Sequence, residues 1–120
     1  MKKILVVDDE PDILRVVAFR LKKAGYEVST ANNGKAALDF ISVNKPDLIL
    51  LDLRMPVMSG DEVCAYIRND AALKDIPIIL LTASSGAGIV ENIREIKADD
   101  YLIKPFDPEV LLEKVKKWAK

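Results

Sequence analysis

The sequence predicts one α/β domain over residues 1–120, a doubly wound sheet of five parallel strands covered by helices. Three observations predict it. Five short apolar runs, Ile4–Val7, Val28–Thr30, Leu48–Leu51, Ile78–Leu81 and Tyr101–Ile103, alternate with stretches of helical periodicity. The first, third and fourth runs are apolar almost throughout, as befits strands covered on both faces. The connections are short, which suits parallel strands joined by right-handed crossovers.

Each element follows from its own residues. A first helix is expected from Pro11 to Ala24, with proline at the favoured first position and Gly25 placed for a left-handed cap. Its inward stripe is Leu14, Val17, Ala18 and Leu21. The second strand, Glu27, Val28, Ser29 and Thr30, is the most polar and alternates, so it belongs at a sheet edge. A second helix follows Asn33-Gly34, buries Ala37, Leu38 and Ile41, and ends before Pro46. The third starts near Gly60 and turns Val63, Cys64 and Ile67 inward. A fourth presents Ile89, Ile93 and Ile96 after the glycine-rich Ser84-Ser85-Gly86-Ala87-Gly88, a region expected to be mobile. The fifth is signed by Asp107 as N-cap and Pro108 next, with Val110, Leu111, Val115 and Trp118 facing inward. Lys114, Lys116, Lys117 and Lys120 are expected to form a solvated face or to offset the helix dipole.

Composition narrows the function. Half of the 120 residues are apolar and 31% are charged, an ordinary globular balance. The net charge of −1 gives no electrostatic reason to expect nucleic acid or an anionic membrane as the main partner. No apolar stretch approaches a membrane span, and Met1-Lys2-Lys3 leads straight into a strand rather than a signal peptide. Cys64 is alone, has no partner for an internal disulfide, and reads as a small core residue. These features point to the cytoplasm. The chain has no histidine, so imidazole-based acid–base catalysis and imidazole zinc sites are excluded.

Four of the five runs end on chemistry: Asp8-Asp9, Asp52, Thr82 and Lys104. Ligands of open parallel sheets bind beyond the carboxyl ends of the strands, where these groups converge. Two like charges about 4 Å apart cost roughly 4 kcal/mol at an effective dielectric near 20, so three carboxylates need cations. A divalent ion and Lys104 together balance them, and carboxylates with water suit Mg²⁺. A carboxylate can carry a phosphoryl group as an acyl phosphate, with positioning and charge neutralisation lowering most of the barrier. Asp52, ending the central apolar strand, is the best candidate nucleophile, while Asp8 and Asp9 suit a metal.

The strings ILVVDDEPDI, LILLDLRMP, LLTA and DDYLIKPF, in that order and spacing, closely resemble the receiver domain of bacterial two-component response regulators. The resemblance covers essentially the whole chain. It implies a flavodoxin-like topology with strand order 2-1-3-4-5, an order that chemotaxis proteins of this fold illustrate. It implies that Asp52 accepts a phosphoryl group from the phosphohistidine of a sensor histidine kinase or histidine phosphotransfer protein. It also implies Mg²⁺ ligation by Asp9, Asp52 and the backbone carbonyl of Arg54, with Asp8 acting through a bound water. Thr82 and Tyr101 resemble the switch pair, and Lys104 the phosphate-binding lysine before a cis Pro105. Arg54 and Ser84 occupy places that modulate dephosphorylation. The output face is then expected on the fourth helix, fifth strand and fifth helix. Lys97 departs from the pattern, standing where such sequences often have glycine, and would be strained if the position needs positive φ.

Taken singly, each residue has a blander role. The Asp pair can cap a helix, Asp52 can sit in a turn, Thr82 can bond backbone, Lys104 can be a loop lysine and Tyr101 can simply pack. Their coincidence at one sheet end favours an acceptor site. The reading is therefore a signalling switch with self-catalysed phosphoryl transfer and not a turnover enzyme. An aspartyl-phosphate phosphatase would want a second carboxylate two residues beyond Asp52, where Arg54 stands. Nucleotide binding lacks a glycine-rich phosphate loop after the first strand. A flavodoxin-like carrier would have Asp8-Asp9 repelling its phosphate, and a degenerate scaffold would not have every acceptor position filled. The output is either a protein target of a free-standing domain or a missing effector domain, and phosphorylation-dependent dimerisation is compatible with both.

Overall fold

Strand pairing follows from where the apolar runs lie. In the computed structural model, which describes residues 1–55, 57–83 and 93–119, Lys3–Val7 (β1) pairs in parallel with Glu27–Ala31 (β2) and Leu48–Asp52 (β3). Ile78–Thr82 (β4) joins β3, and Asp100–Ile103 (β5) joins β4, giving the order β2-β1-β3-β4-β5. The polar β2 is at an edge as expected, and every residue of β3 and β4 is buried.

Alternation along the strands builds two cores. Ile4, Val6, Leu48, Leu50, Ile79 and Leu81 face Pro11–Lys23 (α1) and Pro108–Trp118 (α5). Leu5, Val7, Ile49, Leu51, Ile78 and Leu80 face Gly34–Val43 (α2), Gly60–Arg68 (α3) and the helical residues 93–96 (α4). Cys64 is buried in this second core, where its thiol donates to the Ile96 carbonyl at 3.1 Å and burial pushes its pKa up to about 11.

The helix starts and stops behave as their residues dictate. Gly25 ends α1 at φ 100°, and the Asn33 side chain caps α2 by accepting the Ala36 N–H at 2.8 Å. Asp107 caps α5 through the Glu109 N–H, also at 2.8 Å. Four side chains depart from the periodicity. Leu14 and Leu38 are half-buried rather than core, Val110 is exposed, and Trp118 packs on the α1–α5 core only in part. Lys114 is not solvated like its neighbours. Its ammonium reaches Asp100 at 2.8 Å and the Tyr101 carbonyl at 2.5 Å, and lies 4.6 Å from the Tyr101 ring centre. Ile89, Ser84, Lys120 and the glycine-rich stretch lie outside the described residues.

The turn before β5 is held from one residue. Arg68 donates to the carbonyls of Lys97, Lys74 and Ile76 at 2.8, 2.9 and 2.7 Å and pairs with Asp99 at 2.9 Å. Lys97 has φ 66°, so the glycine it replaces in the common pattern was the less strained choice.

Candidate functional site

The site forms where β1, β3, β4 and β5 end. Asp8 follows β1 directly and is fully buried, its N–H bonded to the Ala31 carbonyl at 3.1 Å. Its Oδ1 accepts the Glu10 N–H at 2.9 Å, so the carboxylate faces the β1–α1 turn instead of capping α1 further along. Asp52 and Thr82 are the last residues of β3 and β4, and both are buried. The Thr82 carbonyl accepts the Lys104 N–H at 2.7 Å, which fixes the end of β5 beside β4. The Lys104–Pro105 peptide is cis, as the resemblance implied.

A close approach fixes the backbone at Asp52. At Gly60, the first residue of α3, a Cβ would sit 2.3 Å from the Asp52 carbonyl oxygen and 2.8 Å from Leu53 Cα. Only glycine allows the helix to press this closely on the strand end. The Gly60 N–H in turn donates to the Leu53 carbonyl at 3.0 Å.

Lys104 is the electrostatic centre. Its Nζ lies 2.8 Å from Asp8 Oδ2, 3.4 Å from Glu10 Oε1 and 3.6 Å from Asp52 Oδ2. Burial alone would lower the lysine pKa, but the hydrogen bond and charge of Asp8, with Asp52 and Glu10, outweigh it and raise it. Asp52 moves the other way from a usual carboxylate. Burial first, then the Asp8 charge, push it up to about 7 against the pull of Lys104 and of the Arg54 N–H, which donates to Oδ1 at 3.3 Å. Asp9, Glu10, Asp52, Leu53, Arg54, Thr82, Ala83 and Lys104 line an open cleft of about 430 Å³.

The sequence-derived residues Asp8, Asp9, Asp52, Arg54, Thr82 and Lys104 therefore share this sheet end. Tyr101 sits one step back. It is opposite Leu80 in the β4–β5 register, on the same sheet face as Thr82, and half-buried. Glu10 is the residue that sequence reasoning missed. It brings a fourth carboxylate, so a divalent ion and Lys104 alone no longer balance the site, and the charge of Arg54, which lines the same cleft, enters the count.

The donor set fits a hard divalent cation. Asp8, Asp9 and Glu10 can each offer a carboxylate oxygen, all within 4.8 Å of one another. Asp8 Oδ2 is buried and stands 2.8 Å from the Lys104 ammonium, its charge partner in the site. All-oxygen ligation of this kind suits Mg²⁺.

Comparison with known proteins assigns the family. The chain matches the response regulator receiver domain over residues 4–116. It is 42% identical over 115 residues to the alkaline phosphatase synthesis transcriptional regulatory protein PhoP of Bacillus subtilis, covering 96% of this chain and 47% of that protein. It is 44% identical over 115 residues to the phosphate regulon transcriptional regulatory protein PhoB of Pseudomonas aeruginosa, covering 96% and 50%. The chain thus spans about half the length of these relatives. Among solved structures, chemotaxis protein CheY4 of Vibrio cholerae superposes with a TM-score of 0.92 at 36% identity, covering 98% of both chains. Response regulator TrrA of Thermotoga maritima, solved with Mg²⁺ and BeF, gives 0.87 at 45% identity, covering 98% of this chain and 99% of that one. With the family match running nearly end to end and the fold agreeing strand for strand, the chain belongs to the response regulator receiver domains of two-component systems.

Proposed function

We propose that residues 1–120 form a receiver domain that takes a phosphoryl group onto Asp52 from the phosphohistidine of a sensor histidine kinase or histidine phosphotransfer protein. The observation that carries this is Lys104, whose ammonium reaches toward Asp52 across a cleft open to a donor. In the transfer, an Asp52 carboxylate oxygen bonds to phosphorus and the P–N bond of phosphohistidine breaks. The electron pair stays on the imidazole nitrogen, which takes a proton from solvent. Lys104 neutralises one phosphoryl oxygen, and the Thr82 hydroxyl, at the end of the neighbouring strand, donates to another. Asp8, Asp9, Asp52 and the Arg54 carbonyl would hold Mg²⁺. That ion would favour the ionised nucleophile, whose carboxyl is otherwise pushed up to about 7, and offset phosphoryl charge.

Signalling follows from a population shift. Thr82 drawn toward the phosphoryl group vacates space on the face it shares with Tyr101, whose ring turns inward and alters the α4-β5-α5 surface. That surface then selects a downstream protein, a second copy of the chain or a linked effector domain. No helix among the described residues is long and apolar enough to cross a membrane. We place the site of action in the cytoplasm, without direct nucleic-acid contact by this domain and without substrate turnover beyond autodephosphorylation. Treatment with Mg²⁺ and acetyl phosphate is expected to add about 80 Da, one phosphoryl group, to the wild-type chain and nothing to Asp52→Asn. Intact-mass spectrometry reads this directly, and unchanged labelling of the variant assigns the acceptor elsewhere.

A further inference from the structure

Glu10 has no part in the transfer described above, yet its carboxylate stands at the cleft mouth beside the phosphate-neutralising lysine. We propose that Glu10 is a specificity-determining residue that screens the cleft against small free phosphodonors by holding Lys104 and adding a negative charge at the entrance. The inference rests on Asp52 being the phosphoryl acceptor.

Three carboxylates compete for one ammonium. Asp8 and Asp52 are almost wholly buried and anchored by backbone N–H groups, so neither moves easily. The Glu10 side chain is 59% exposed and meets Lys104 only at 3.4 Å. It is the group that an incoming phosphoryl dianion displaces. A protein donor offsets that displacement with contacts over its own docking surface, whereas a free dianion has no other contacts to draw on. Glu10 thereby handicaps small donors more than protein donors.

The size of the handicap follows from Coulomb's law. One charge removed about 6 Å from a dianion changes its binding about tenfold in a water-like dielectric, and about threefold once salt screens it. Glu10→Gln keeps the side-chain shape and removes the charge. With saturating Mg²⁺, the acetyl phosphate concentration for half-maximal labelling is expected to fall about threefold. For phosphoramidate, whose protonated nitrogen cancels part of its charge, a smaller fall is expected. Raising the salt should narrow the gap between wild type and Glu10→Gln. Glu10→Lys should lower the half-maximal concentration further.

A second readout needs no phosphodonor. In the metal-free protein, the ¹³Cε and ¹⁵Nζ resonances of Lys104 should shift in Glu10→Gln, reporting loss of the carboxylate neighbour. An unchanged half-maximal concentration, or equal falls for both donors, overturns the proposal. So does a change confined to the Mg²⁺ half-saturation, which would make Glu10 a metal-site residue instead. Failure of wild type itself to label would sink the acceptor reading, and is thereby distinct from failure of the Glu10 variants to differ.

Discussion

Lys97 occupies a left-handed backbone at φ 66°, and Val57 does so at 71°. A side chain in that region costs roughly 1–2 kcal/mol, partly recovered because glycine loses more entropy on folding. Lys97→Gly is therefore expected to stabilise the fold by about 0.5–1 kcal/mol, seen as a higher urea midpoint with unchanged slope. Arg68 keeps its contact there, since it binds the Lys97 carbonyl and not the side chain. Lys97 was legible because a charged residue stood at a glycine position, and Asp8, Asp9, Asp52, Thr82 and Lys104 because each ends an apolar run. Glu10 was not legible. An acidic residue before Pro11 reads as ordinary helix-start chemistry, and only coordinates reveal that it meets a lysine 94 positions away. Lys114 was misread for a related reason: a lysine in a basic run gives no hint that Asp100 waits beside it.

Helices and strands announced themselves through period, but their depth of burial depends on neighbours. The α5 stripe was correct at Leu111 and Val115 and wrong at Val110, which is exposed in a shallow surface hollow beside Tyr101 and Ile103 of the edge strand β5. Trp118 stops short of the core because its indole N–H donates to Asp100 at 2.9 Å. Burial would raise the Asp100 pKa, but hydrogen bonds from Lys114, Trp118 and the Tyr101 N–H outweigh it and hold the carboxyl below its usual range. The α3-to-β5 junction depends more heavily on one side chain. Arg68→Ala leaves three carbonyls without their guanidinium donors and Asp99 without its cation. A loss of about 2–4 kcal/mol in urea unfolding is expected. A loss under about 0.5 kcal/mol would mean that water replaces these bonds freely. None of this junction was visible beforehand, since carbonyl acceptors carry no sequence signature.

Across the whole molecule, the acidic sheet end makes stability depend on pH in an unusual sense. Folded Asp52 titrates near 7 against an ordinary 3.8, so between those values the native state binds more protons than the unfolded chain. Stability then rises as pH falls from about 7 toward 4, by on the order of 4 kcal/mol. The other shifted groups act outside that window. Asp100 stabilises above its ordinary value and loses this as pH drops through its depressed pKa, while Lys104 loses its contribution only as pH climbs past its raised one. With EDTA present, wild type should melt higher at pH 5 than at pH 8. Asp52→Asn should be nearly flat over that range and more stable than wild type at pH 8. Calorimetry checks both, and a wild-type melting point that drops on acidification would refute the linkage. The fold as a whole was the most legible level, because alternating runs and short connections leave few topologies. The net charge of the site was the least legible, because it depends on which side chains converge.

All parallel strands share one direction, so the reactive groups gather at one pole and the opposite pole carries none of them. The turn at residues 44–46, between α2 and β3, lies at that far pole, and Asn44 and Lys45 are exposed. A foreign peptide spliced between them would leave untouched every backbone contact described around Asp8, Asp52 and Lys104. The architecture thus offers a permissive port for tags, reporters or grafted loops, with the length of the strands between it and the chemistry.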